Sequence, residues 1–336
     1  MIVHTDINNL PVFKNAVITI GTFDGVHTGH LQIIHQLKKE AANINGESVI
    51  ITFHPHPRMV INAALDISSR KNYEEIKLLN TLGEKIDLLQ KQDIDHLVIV
   101  PFTIAFSEQP AEEYIMDFLV SKFHPHTIII GYDHHFGKNR QGNYKLLEAY
   151  QLQCNFRVKE IPEHVLHNVI ISSTRVRHAL GEGDVNTANE YLGYDYFFEG
   201  KVIEGQKLGR TLGYPTANIL IGDQNKLVPA NGVYAVEVLT NQPEGITEIK
   251  DLAPAMLPGK IDMVPLKGMM NIGVRPTVGG TKKVIEVNIF DFNESIYDQT
   301  IRVYIHFYLR SEVKFNGLDA LKEQLHADKT SALKLL

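Results

Sequence analysis

The stretch Gly21-Thr22-Phe23-Asp24-Gly25-Val26-His27-Thr28-Gly29-His30 decides how this chain is read. It follows a β-type apolar run, Ala16 to Ile20, and precedes Leu31, Ile34, Leu37 and Ala41 at helical spacing. The pattern predicts a strand, a glycine-rich turn and the N-terminus of a helix. Such a turn lets backbone approach a ligand closely, and the unpaired amides and dipole of the first helical turn favour an anion. His27 and His30 stand either side of Gly29 and offer two donors to the same phosphate. Phosphate transfer between nucleotides depends on placing donors and positive charge around oxygens that gain charge in the transition state. A zinc-binding pair, or two ordinary surface histidines, is the plainer alternative for the same residues.

Outward from this turn, the first half alternates strand and helix. The run Ser48 to Phe53 is followed by a helical pattern through Ile76, Leu79, Leu82, Ile86 and Leu89, then by the run His96 to Val100. A helical stretch from Ala111 to Phe123 leads to Thr127 to Ile130, and one through Tyr144, Leu147 and Tyr150 leads to Phe156 to Ile161. Apolar runs separated by helices predict a parallel sheet covered on both faces, whose ligands gather at the carboxyl ends of the strands. The unusual sequences all follow strand ends: the opening turn, Thr52-Phe53-His54-Pro55-His56-Pro57, and Gly131-Tyr132-Asp133-His134-His135-Phe136-Gly137. They are expected to converge on one cleft. The two prolines make Thr52 to Pro57 rigid, either as a wall for a planar ligand or simply as a stiff loop. Ile171-Ser172-Ser173-Thr174-Arg175-Val176-Arg177 joins an N-cap signal to two arginines in what reads as a first helical turn. Arginine there opposes the helix dipole, which favours a bound phosphate over plain capping.

Beyond Gly183 to Gly193 the alternation stops. Strands are expected at Tyr196 to Ile203, Val233 to Leu239, Met269 to Ile272, Val284 to Phe292 and Ile301 to Leu309, with a closing helical pattern from Leu318. Consecutive strands without helices between them indicate an antiparallel barrel or sandwich. Gly205 to Asn218, with Gly209 and Gly213 inside it, reads either as a phosphate-gripping loop, in which Thr216 and Asn218 offer oxygens to a magnesium ion, or as a simple turn. Glu286 lies in a strand with apolar residues on both parities, so it faces either a site or, with Asn288, solvent. The segment between Thr240 and Gly268 reads as a long loop.

At 336 residues the chain is too long for one ordinary core. A composition 44% apolar and 21% charged is that of a soluble globular protein. No run reaches the length of a membrane span, and Met1 to Asp6 lacks a secretion signal, so a cytoplasmic protein without a membrane partner is expected. Cys154 is the one cysteine, which excludes internal disulfides and cysteine-rich zinc sites and suggests an apolar filler. A net charge of −6 argues against nucleic acid as a partner. Any phosphate must then be held by local basic islands such as His134 to Arg140 and Arg175 to His178.

Together these stretches resemble the bifunctional riboflavin kinase/FMN adenylyltransferase family, also called prokaryotic FAD synthetase, over nearly the whole chain. The markers are Gly21 to His30, Thr52 to Pro57, Gly131 to Gly137, Ser172 to Arg177, Leu212 to Asn218, Asn231 to Tyr234, Asn271 to Thr277, and Glu286, in the family's order. The resemblance implies an α/β Rossmann-like nucleotidyltransferase domain over 1–186, a parallel sheet with helices on both faces. It also implies a six-stranded antiparallel β-barrel domain with a C-terminal helix over 187–336. Riboflavin would be phosphorylated to FMN in the second domain and FMN adenylylated to FAD in the first, each reaction using ATP with Mg2+. His27, His30 and Arg177 would stabilise charge in adenylyl transfer. Gly21, Phe23, Asp24, Gly29, Asp133, Ser172, Ser173 and Thr174 would bind the ligands of that site. Glu286 would be the base of the kinase step, with Gly209, Gly213, Pro215 and Asn218 binding nucleotide and Thr216 and Asn218 the metal.

Three departures from the family pattern stand out: His134 in place of phenylalanine, Leu208 in place of arginine, and Asp298 after Tyr297 in place of glycine. The last predicts a modest change of turn. A nucleotidyltransferase with another acceptor, and a flavin- or nucleotide-binding regulator without catalysis, are the alternatives. Weak homo-oligomerisation and passage of FMN between sites are left open.

Overall fold

A computed structural model describes residues 1–65, 76–161, 171–205, 208–242, 264–277 and 280–336. Contacts divide the described residues into two compact units. The first takes those within Met1–Ile76 and Lys85–Ile171, the second those within Lys77–Glu84, Ser172–Thr247 and Met256–Leu336.

The first unit is a six-stranded parallel sheet of β1 (Ile2–His4), β2 (Val17–Ile20), β3 (Ser48–His54), β4 (His96–Pro101), β5 (Thr127–Gly131) and β6 (Arg157–Ile161), in the order β1-β4-β3-β2-β5-β6. Every residue of β2 and β5 is buried, as continuous Val/Ile-rich runs require when helices cover both faces. β1 was not among the expected strands. It is three residues long, and its pairing with His96, Leu97 and Val98 of β4 is what makes it a strand. The order reverses beside β2, which pairs with β3 on one edge and β5 on the other. Ligand crevices in open parallel sheets lie at such a reversal, at the carboxyl ends of the strands. Gly21 to His30 leaves β2 there, and the loop carrying Asp133 leaves β5 beside it.

Two helical expectations change. Ala111 to Phe123 is helical throughout, yet Tyr114–Val120 is a π-type segment. The helix expected from Ile76 begins only at Leu82 and runs to Gln90. Before it, Leu78 pairs with the segment after Gln224: its N–H donates to the Asn225 carbonyl at 2.7 Å, and its carbonyl accepts from Leu227 N–H at 2.8 Å. Thr81 and Glu84 then form a reciprocal cap, Glu84 N–H to Thr81 Oγ1 at 3.2 Å and Thr81 N–H to Glu84 Oε2 at 2.9 Å. The helical spacing of Ile76 and Leu79 is therefore accidental, because backbone pairing claims that segment first.

The second unit is a closed antiparallel barrel of β7 (Tyr196–Ile203), β8 (Ala217–Leu220), β9 (Gly232–Gln242), β10 (Leu266–Thr277), β11 (Gly280–Ile289) and β12 (Thr300–Arg310), ordered β10-β11-β8-β7-β12-β9. β8 was not expected as a strand, since its first two residues end the glycine-rich stretch read as a loop or turn. Met270, Ile272, Ile285, Val287, Val303 and Ile305 point into the barrel core, which also takes Val176, Leu180, Val185 and Leu192 from the helices Ser173–Gly181 and Val185–Leu192. The helix Leu318–Leu335 lies against β9, β10 and β12. Arg310 fixes it through a two-pronged bond to the buried Asp328, Nε to Oδ1 at 2.8 Å and Nη2 to Oδ2 at 2.7 Å. Asp298 takes a left-handed φ of 63°, so the turn keeps the conformation glycine would favour. The loop expected between Thr240 and Gly268 lies outside the described residues from 243 to 263, while Leu266 already belongs to β10.

One interaction within this unit is fully out of water. Lys226 Nζ donates to Glu84 Oε2 and the Leu79 carbonyl, both at 2.6 Å, and to the Phe197 carbonyl at 2.8 Å. Both charged side chains are 0% exposed. Removing one member of such a pair strands the other charge, at a cost of roughly 3–5 kcal/mol. Lys226→Met is expected to lower the stability of the barrel by that order in a denaturant titration followed by circular dichroism, whereas Lys201→Met, at the exposed Asp298 pair, changes it by less than about 1 kcal/mol.

Candidate functional site

In the first unit the turn after β2 is built from unusual backbone. Phe23, Gly25 and Val26 have φ of 47°, 89° and 39°. For phenylalanine, and above all for β-branched valine, that region is strained and persists only where surroundings impose it. They do so here: Phe23, Asp24 and Val26 are each 1% exposed. The carbonyl of Thr22, which opens the turn, accepts from Lys85 Nζ at 2.8 Å and from Thr52 Oγ1 at 3.1 Å.

The turn ends at His27, the N-cap of the helix Thr28–Asn43. His27 Nδ1 accepts from the His30 backbone N–H at 3.4 Å, which leaves the proton of a neutral His27 on Nε2. The His27 and His30 rings stack with centroids 3.7 Å apart and planes 15° from parallel. A Cβ on Gly29 would press on the His27 ring, so glycine is what lets the two imidazoles lie together. His30 Nδ1 is buried without a hydrogen-bond partner. Burial, with His27 and then Lys85 nearby, holds the His30 pKa well below that of a free imidazole, so His30 is neutral at neutral pH. Gly21, Phe23, Asp24, Gly29, His27 and His30 thus form one constellation, and the reading of two ordinary surface histidines fails because His27 is 6% exposed. Among the described residues no cluster of three or more metal-ligating groups exists.

Thr52 to Pro57 turns out to be mostly scaffold. Thr52 is buried on the Thr22 carbonyl, and His56 Nδ1 caps the helix Pro57–Ala64 by accepting from Arg58 N–H at 3.2 Å. Asp133 is exposed beyond β5. Beside it His134 is enclosed, its Nε2 lacks a partner, and burial pushes its pKa down to about 4 against the pull of Asp133.

Ser172, Ser173, Thr174 and Arg177 belong to the second unit. Ser172 is the N-cap of its helix, its Oγ accepting from Arg175 N–H at 3.4 Å. Arg177 is the fifth residue of the helix Ser173–Gly181, in its second turn rather than its first, and its Nε donates to the Lys77 carbonyl at 2.7 Å. Capping therefore accounts for Ser172.

On the barrel, Asn218 of β8, Glu286 of β11 and Asn271 of β10 are direct cross-strand partners and share one face. Their neighbours Ile219, Ile285, Val287, Met270 and Ile272 fill the core, so this face points outward. It is not a solvated face: Asn288 is 5% exposed and the Glu286 side chain 24%. Arg275 Nη2 bonds Glu286 Oε1 at 2.9 Å. The glycine-rich stretch folds onto the same face. Asn288 Nδ2 donates to the Pro215 carbonyl at 2.6 Å, the space of a Gly205 Cβ is taken by the Asn218 amide, and a Gly209 Cβ would run into the Tyr214 carbonyl and approach Thr216 Oγ1. Gly213 has a φ of 82°. Gln206, Lys207 and the side chain of Leu208 lie outside the described part of the chain, and with them the Leu208 departure.

Lys85, Arg275 and Asn288 escaped the sequence reading. Lys85 sits at an ordinary charged position of a helix, Arg275 within a marker but without a role, and Asn288 on a face left open between site and solvent. Cys154 is half-buried against Met116.

Comparison with known proteins adds two family matches: an FAD synthetase model covers residues 10–175 and a riboflavin kinase model covers 192–336. A bifunctional riboflavin kinase/FMN adenylyltransferase of Haemophilus influenzae is 35% identical over 96% of this chain and 94% of its own length. One from Escherichia coli K12 is 33% identical over 95% and 92%. The crystal structure of a macrolide-efflux protein from Streptococcus pneumoniae superposes with a TM-score of 0.81, at 28% identity over 99% of both chains. No helix among the described residues is long and apolar enough to cross a membrane.

The enclosed His134 gives a test of this geometry by pH. Its folded pKa of about 4 lies below the ordinary 6.5, so the unfolded chain takes up a proton first as pH falls. Its contribution to stability is complete above about pH 6.5 and declines toward pH 4, by up to about 3 kcal/mol. His134→Phe is expected to flatten that part of the stability profile, as measured by denaturant titrations at pH 4.5, 5.5 and 6.5.

Proposed function

Because the chain belongs to the bifunctional riboflavin kinase/FMN adenylyltransferase family, we propose that its two polar constellations are two separate active sites, each using ATP. The chain is an enzyme of FAD biosynthesis: riboflavin is phosphorylated to FMN, and FMN is adenylylated to FAD. Adenylyl transfer is assigned to the first 186 residues and phosphorylation to residues 187–336. This division is one of chemistry. The packing division falls elsewhere, with Ser172 onward counted in the barrel unit.

The observation that carries the reading is that each unit holds its own kind of site, stacked imidazoles on a strained turn in one and an Asn218–Glu286–Asn271 rung in the other. In adenylyl transfer the FMN phosphate attacks the α-phosphorus of ATP and pyrophosphate leaves. The nucleophile is already ionised, so no strong base is needed. His27, which carries its proton on Nε2, and His30 donate to oxygens that gain charge, beside the amides of a helix N-terminus. Gly21, Phe23, Asp24 and Gly29 shape the turn around the nucleotide, and Asp133 stands at the neighbouring strand end. Arg177, with Ser172, Ser173 and Thr174, is assigned to this reaction on resemblance alone.

In the kinase reaction the nucleophile is a neutral ribityl hydroxyl, which must lose a proton as it attacks the γ-phosphorus and ADP leaves. Glu286 takes that proton. Arg275 holds Oε1, so the base is Oε2. Gly209, Gly213 and Pro215 shape the loop on which Thr216 and Asn218 face the nucleotide. Their neutral oxygens, with a carboxylate on the same rung, are the donor chemistry Mg2+ prefers. The ion would neutralise charge on the ATP phosphates there.

Purified protein given riboflavin, ATP and Mg2+ is expected to yield FMN and then FAD on separation of the flavins. His30→Ala should slow FAD formation by about a hundredfold or more while FMN accumulates. Glu286→Ala should slow riboflavin phosphorylation by a similar factor while supplied FMN still becomes FAD. Loss of both steps from either change in a folded protein would refute the two-site reading.

A further inference from the structure

Lys85 is a buried cation that neither reaction yet uses. Its residue is 7% exposed, on the helix Leu82–Gln90, and its Nζ reaches the carbonyl of Thr22. That carbonyl is the last group before the left-handed backbone of Phe23, Gly25 and Val26, and it is held twice, by Lys85 and by Thr52 Oγ1. The strained turn leads straight to His27, whose ring stacks on His30. A strained turn relaxes unless something outside it fixes both its entry and its exit. The exit is fixed by the helix that His27 caps, and the entry by these two side-chain donors.

Resting on the two-site reading above, we infer that Lys85 is a positioning residue for adenylyl transfer: its ammonium, with the Thr52 hydroxyl, clamps the Thr22 carbonyl and so sets the turn that aims His27 and His30 at the transferring phosphate. The burial cost of such a cation is high, and a role of this kind explains why a lysine rather than a methionine occupies the position. Desolvation lowers the Lys85 pKa to about 8 and the Asp24 carboxylate beside it counters the fall, so the ammonium remains charged at neutral pH. The titratable groups bearing on this cluster are Asp24, His27, His30 and Lys85 itself. The charge of Lys85 has a second consequence, since it opposes protonation of His30 and helps keep that imidazole neutral.

The test uses the full chain with riboflavin phosphorylation as an internal control for folding. Lys85→Met is expected to lower kcat for FAD formation by about 10- to 100-fold, with KM for FMN and the kinase rate changed less than about threefold. Lys85→Arg keeps a charged donor and should recover part of the loss. The acid limb of the kcat profile should move to higher pH in Lys85→Met but not in Lys85→Arg, because His30 loses the cation that opposed its protonation. A lysine acting on His30 by its charge alone would move that limb yet leave kcat at the pH optimum unchanged. If Lys85→Met leaves FAD formation within twofold of the parent, or leaves the limb in place, the inference fails. If Lys85→Met does not fold, Thr52→Val removes the other clamp, and unchanged FAD formation in that variant overturns the inference. His30→Ala separates the two levels: unaltered FAD formation there refutes the site itself, whereas its loss there with an active Lys85→Met refutes only the role of Lys85.

Discussion

An ammonium taken out of water must find oxygens, and the barrel unit is arranged around that requirement at Lys226. Its three acceptors come from distant parts of the sequence: the Leu79 carbonyl from the segment before the helix Leu82–Gln90, Glu84 from the first turn of that helix, and the Phe197 carbonyl from β7. Glu84 is satisfied in turn, since its Oε2 also accepts from Thr81 N–H and its Oε1 from Glu199 N–H at 3.1 Å. Every polar atom of the pair thus fixes a piece of backbone. Hydrophobic contacts alone would tolerate a slide of Leu79 against the barrel core, but a buried ion pair does not, because each misplaced ångström leaves charge without a partner.

This constraint also explains which parts of the fold the sequence makes legible. The strands β2, β3, β4 and β5 are legible because a strand buried on both faces has only one way to look, a short run of valine and isoleucine. β1 and β8 are not, being three and four residues long and held by partners rather than by propensity. The start of the helix at Leu82 is hidden for the same reason: Ile76 and Leu79 continue the helical spacing, while backbone bonds to Asn225 and Leu227 decide otherwise. Its reciprocal cap, Thr81 with Glu84, has the spacing of a capping box, a start signal local enough to mark Leu82.

The site residues divide along the same line. The imidazole pair was legible because glycines beside histidines at a strand end have few other uses. Lys85 was not, because a lysine next to a glutamate on an amphipathic helix reads as solvated, and only the fold shows both withdrawn from water. Arg177 shows the converse, a correct motif with a misplaced position. Ser172 caps the helix where the sequence signals it, but the fifth helical position lies in the second turn, and there the guanidinium donates to the Lys77 carbonyl.

On the proposed assignment, the contrast between the two constellations follows from the nucleophile each would serve. A phosphate that is already an anion is best met by groups that donate without competing for a proton, and His30, kept neutral by burial and by the nearby Lys85, is such a group. A hydroxyl has to be deprotonated as it attacks, which demands a carboxylate on a rigid element. Glu286 is held from both sides by strand pairing and from one oxygen by Arg275, so its second oxygen has a defined direction. Placing a carboxylate where the imidazoles stand would repel the incoming phosphate anion. On the proposed assignment, two chemically opposite demands thus fall on two different constellations, the imidazole pair of one unit and the Glu286 rung of the other.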